Sequence, residues 1–126
     1  MAAEFQKLIG SAGRVQPNMA VNVTTTTATN LIAAPGANLR IVITNILVTN
    51  SNTSTGTRVR LQDNAGTPIV YASGYAAPES GWAYNGLPLV MPLNTRLDYK
   101  LDTALTTNGV DILVRGYIER VNSASD

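Results

Sequence analysis

The chain has 126 residues, a net charge of +1, a charged fraction of only 13%, and neither His nor Cys. Its length suits one domain. The missing residue types exclude His- and Cys-based nucleophilic centres, thiolate metal sites and disulfides. Arg14, Arg40, Arg58, Arg60, Arg96, Arg115 and Arg120 are scattered, with Lys7 and Lys100 alone, so the clustered positive charge that holds nucleic acid is absent.

Thr, Asn, Ser, Ala and Gly fill the space that charged residues usually take. Such a surface suits a chain that meets other protein. It equally suits a β domain that uses Thr for its strand preference. No apolar run approaches the roughly 18 residues of a membrane-spanning helix. The first residues lack the basic start and apolar stretch of a secretory signal, so synthesis and first use in a cytoplasm are expected.

Residues 1–19 read as an N-terminal arm, extended or briefly helical. Phe5, Leu8 and Ile9 are spaced i, i+3, i+4, one turn of an amphipathic helix. Gly10, Ser11 and Gly13 then break the pattern, and Pro17-Asn18 marks a boundary. The arm either frays or orders on a neighbouring subunit, with Phe5, Leu8, Ile9 and Val15 as its candidate contact residues.

From Ala20 the pattern is β. Val21 and Val23 alternate with Asn22 and Thr24, and Leu31-Ile32 follows. Pro35-Gly36 is a turn signal. Residues 39–49 are strongly apolar and β-branched, long enough that a bulge or bend is expected near Thr44-Asn45. The polar composition of residues 50–56 predicts a mobile loop.

Residues 57–62 and 68–72 predict a hairpin closed by Asp63-Asn64-Ala65-Gly66. Residues 73–86 are rich in Gly, Ala and Pro and hold Tyr75, Trp82 and Tyr84. Pro88 and Pro92 restrict residues 87–93 to an edge or short strand. In residues 95–102, Leu97, Tyr99 and Leu101 alternate with Asp98, Lys100 and Asp102, giving one apolar and one wet face. Asn108-Gly109 turns the chain into a last long strand over residues 110–121, and residues 122–126 form a polar tail.

Seven or eight short strands with no core helix predict an all-β protein, an antiparallel β-sandwich or jelly roll spanning residues 20–121. Chemistry is sparse. Asp98 with Asp102, and Asp111 with Glu119, are the carboxylate pairs a glycosidase would need, but Lys100 between the first two reads as a solvated charge stripe. Calcium is conceivable at Asp63-Asn64 or near Asp111, yet no EF-hand spacing or acidic cluster exists. No phosphate-binding glycine loop is present. The expectation is no enzyme, no cofactor, no bound metal and no small-molecule substrate. Tyr71, Tyr75, Trp82 and Tyr84 have three readings: core, protein interface, or a platform for sugar rings.

The segment Leu31-Ile32-Ala33-Ala34-Pro35-Gly36-Ala37-Asn38-Leu39-Arg40-Ile41 resembles the start of the long apolar strand in small β proteins of tailed-bacteriophage virions. The order that follows is also similar. It runs through a polar hairpin, an aromatic Gly/Ala/Pro segment, a Leu-Pro-Leu strand, an amphipathic strand opening Thr95-Arg96-Leu97, and a final strand through Gly116-Tyr117-Ile118. The resemblance covers residues 30–121 and is to capsid decoration (cement) proteins and related head-fibre or tail-associated proteins. It implies a sandwich that clasps the outside of the capsid as a homotrimer, with the major capsid protein as partner and residues 1–19 reaching across the shell. Such a protein assembles onto particles in the host bacterial cytoplasm. A tail-fibre, baseplate or head-fibre component, and a carbohydrate-binding module using Tyr75, Trp82 and Tyr84, are the alternatives.

Overall fold

Alternating apolar and polar side chains build strands with one buried face, and a chain made of such strands needs a second sheet to bury that face against. The computed structural model describes residues 14–86 and 88–121, with side chains from Asn18 onward. Nine strands and no helix make up these residues. They are β1 (Arg14–Val23), β2 (Thr29–Ile32), β3 (Leu39–Asn50), β4 (Thr57–Gln62), β5 (Val70–Ala76), β6 (Ser80–Tyr84), β7 (Leu89–Val90), β8 (Leu97–Leu101) and β9 (Val110–Arg120). The first sheet has the order β1-β9-β3-β6, with β7 also paired to β3, and the second has the order β2-β8-β4-β5. Every pairing is antiparallel.

One apolar cluster lies between the sheets. The first sheet contributes Ile41, Ile43, Ile46, Val48, Val110, Ile112 and Val114, and the second Val59, Leu61, Leu97 and Leu101. All of these are at most 1% exposed. Thus the alternation read in residues 95–102 does place its apolar members inward, and Val59 and Leu61 of β4 face them from the neighbouring strand.

The bulge expected near Thr44-Asn45 is present, as the β3–β9 register shifts between Ile43 and Asn45. It has a packing consequence. Ile41 and Ile43 precede it and Ile46 and Val48 follow it, yet all four face the core. Without the extra residue, one of these pairs would turn outward. Gly116 stands opposite Ile43 at this point. A Cβ there would overlap the Val42 carbonyl oxygen and crowd Ile43 Cα at 3.0 Å. Gly116→Ala is therefore expected to cost about 2 kcal/mol and lower Tm by roughly 5–10 °C. Gly66→Ala is the matched control, because its added Cβ meets nothing within 4 Å. Paired thermal melts check both.

Three elements differ from their sequence reading. First, β1 starts at Arg14, within the span read as an arm, and Val15 pairs with Gly116. The strand runs through Pro17 because β1 is an edge strand, where a residue without an N–H is tolerated. The β1–β9 register also slips between Val15 and Asn18, around that proline. Phe5, Leu8 and Ile9, and the tail at 122–126, lie outside the described residues. Second, residues 73–86, to which the sequence reading assigned no element, are mostly the strands β5 and β6. The small inward residue Gly74 accommodates a large neighbour, since a Cβ on it would stand 2.8 Å from the Trp82 ring. Third, the loop at 50–56 is pinned rather than loose. Asn50 and Asn52 are 1% and 4% exposed and bond across it.

The proline-bounded segment behaves as expected. Its strand β7 is two residues long, and Met91 N–H donates to the Ile41 carbonyl at 3.0 Å to close it. At Pro35-Gly36 the glycine has φ 116°, a left-handed conformation that makes the turn into β3.

Candidate interaction surface

Asp63, Asp98, Asp102, Asp111 and Glu119 are each engaged in local structure. Asp98 is buried and held by Arg96 in two bonds of 2.8 and 3.1 Å. Asp102 is gripped by Arg60 in two bonds of 2.8 Å. That guanidinium holds the Asp102 carboxyl below its ordinary range, while the Arg60 pKa is raised in turn. Asp111 and Glu119 stand at opposite ends of β9, roughly 27 Å apart at the rise of a strand, so they cannot share a substrate. Asp111 accepts the Asn22 N–H at 2.8 Å, and Glu119 pairs with Arg40. Asp63 Oδ1 accepts from Ala65 N and Ile69 N, shaping the β4–β5 connection. The Tyr71 hydroxyl is buried without a hydrogen bond; burial, and then the nearby Asp63 charge, push its pKa up. No group of three or more acidic, His or Cys side chains capable of holding a metal occurs among the described residues.

The structure does not gather Tyr75, Trp82 and Tyr84 into one platform. Trp82 and Tyr84 pair with Val48 and Ile46 and pack against the core from the inner face of β6. The Trp82 Nε1 is buried with no acceptor. Tyr75 lies on the outer face of β5, opposite Arg58, and is 58% exposed with its ring leaning over Gly56. Tyr71 also packs against the core.

The two outer faces of the sandwich differ in character. On the second sheet, Arg58, Arg60 and Lys100 point outward with Asp98 and Asp102, and Arg60 sits opposite Lys100. Arg60 pairs with Asp102 and Arg96 with Asp98, Lys100 stands 4.0 Å from Asp102, and Arg58 donates to the Ser73 hydroxyl, so this charge is engaged within the face. On the first sheet, register brings Met19 (β1), Leu113 (β9), Leu47 (β3) and Ala83 (β6) side by side. Met19 is 55% and Leu47 49% exposed. A groove of about 340 Å³ opens here, lined by Asn45, Leu47, Ala83, Asn85, Leu113 and Arg115 among others.

This apolar row was missed in the sequence. A signal for it existed: residues 39–48 and 110–114 are nearly continuous apolar runs, which mark strands with a use for both faces. No protein-family model matches the chain, and no curated protein matches it.

Proposed function

We propose that this chain is a structural virion protein of the tailed-bacteriophage type. In this reading it binds the outer surface of a capsid and stabilises the shell as a decoration protein, with the major capsid protein as its partner. The observation that carries the reading is the strand order. Sheets ordered β1-β9-β3-β6 and β2-β8-β4-β5, with the chain passing repeatedly between them, support a jelly roll, an architecture used by viral capsid and lectin domains. The carboxylates tied into structural bonds support a mechanical role over catalysis. The sequence segment at 31–41 and the order of elements after it favour a virion protein over a lectin. So does the separation of Tyr75 from Trp82 and Tyr84.

Residues 1–13 serve as the attachment arm. They lead into the edge strand β1, and extended they can reach roughly 45 Å. Attachment through many copies, expected as trimers, multiplies weak contacts across the shell. The test is co-sedimentation of the full chain with expanded, DNA-free capsids. Saturable binding that falls about tenfold or more in Phe5→Asp/Leu8→Asp/Ile9→Asp is expected if the arm supplies the anchor. Absence of binding to capsids, with recovery at the tail instead, would replace the decoration reading by the tail-component one.

A further inference from the structure

We infer that the outer face of the first sheet receives a second copy of this chain, through a two-fold contact centred on Leu113. This inference goes beyond the shell-binding reading and does not depend on it.

The contact is written in the register. Met19, Leu113, Leu47 and Ala83 form one row across four strands. On β9, and on the same face, Asp111 lies two residues before Leu113 and Arg115 two residues after it. A two-fold axis along the apolar row reverses the strand direction of the second copy. Arg115 of each protomer then meets Asp111 of its partner, twice. A two-fold axis along the strands would instead stack the faces with strands parallel, set Arg115 over Arg115 and lose both pairs, so the charges select the axis along the apolar row. Arg115 is exposed and makes no ion pair with a described residue. Asp111 is held by the Asn22 backbone N–H, and neither it nor Arg115 forms an ion pair with a described residue, so both charges are open to a partner across the contact.

Area is sufficient. Four strands spanning about 19 Å, over a length of about 30 Å, give roughly 600 Å² in plan. Side-chain relief brings this near the about 800 Å² per partner of a stable interface. Leu113 and Leu47 at the centre, Met19 and Ala83 at the ends of the row, and polar Asn45, Asn85 and Thr49 around them match the apolar core and polar rim of such contacts.

The experiment is light scattering on the full chain, with far-UV circular dichroism as the check on folding. A two-fold contact gives an even number of chains: two by itself, or six if it joins the expected trimers. Leu47→Glu should halve the mass and leave the dichroism unchanged. Arg115→Glu should weaken pairing about tenfold or more, and adding Asp111→Arg should restore most of it. A wild-type mass of one or three chains, or a mass unmoved by Leu47→Glu, would overturn the inference. If hydrogen exchange in β3 and β9 then rises in Phe5→Asp, the face belongs instead to the chain's own N-terminal residues.

Discussion

Ile112→Asp is expected to leave no folded protein, whereas Leu113→Asp, one residue along, should fold. Ile112 is fully buried near the start of β9, between Val48 of β3 and Ala20 of β1. Burying an isoleucine contributes about 1.5–3 kcal/mol, and an unpaired carboxylate in its place adds a penalty of several kcal/mol. Together these consume a stability of roughly 5–15 kcal/mol. The alternative, a neutral protonated Asp, still lacks a hydrogen-bond partner among the surrounding apolar side chains. Leu113 points to the opposite face, where a carboxylate reaches water and Arg115 stands nearby. The two variants therefore separate by face, since consecutive strand residues alternate sides. Circular dichroism with a thermal melt reads the result. A cooperative transition for Ile112→Asp within about 10 °C of wild type would mean that β9 is assigned to the wrong register.

That register explains what the sequence could and could not disclose. Alternation in β4 and β8 showed which side of each strand is buried, because a period of two is a local property. Pro88 and Pro92 bounded β7 for an equally local reason, the missing N–H. The bulge near Thr44-Asn45 was legible from excess length. Other features depend on partners distant in the chain. Gly74 is one small residue in a Gly/Ala/Pro-rich stretch until Trp82 is placed over it. Asn50 and Asn52 read as mobile until the carbonyls they bond are brought near. The row Met19–Leu113–Leu47–Ala83 exists only once β1, β9, β3 and β6 are laid side by side. Sequence periodicity tells that a strand has two faces; it does not tell what the neighbouring strand puts beside each residue.

Asn52 concentrates this kind of information, and Asn52→Ala should cost about 3 kcal/mol, lowering Tm by roughly 10 °C. The side chain is 4% exposed. Its Nδ2 donates to the Thr106 and Asn108 carbonyls at 2.8 and 3.0 Å. Its Oδ1 accepts from Ser54 N and Thr55 N at 3.0 and 2.8 Å. The backbone adds to this, as Asn52 N–H donates to Asn50 Oδ1 and the Asn52 carbonyl accepts from Glu79 N–H at 2.9 Å. The connections β3–β4, β5–β6 and β8–β9 all pass between the sheets, and these bonds tie the three together at one end of the sandwich. Alanine removes every side-chain bond and strands partly buried backbone groups, the expensive half of hydrogen bonding. Asn52→Asp provides the sharper test. Its carboxylate keeps the two acceptor bonds but faces two carbonyls that need a donor. Folding therefore favours the protonated form and raises the Asp pKa above its unfolded value of about 3.9. Relative to wild type, the Asp variant should be more stable at pH 4 than at pH 7, because stability linked to a raised pKa is lost as pH rises through it. An Asn52→Ala melt within about 2 °C of wild type, or an Asp variant with the opposite pH trend, would show that the three connections hold together without this side chain.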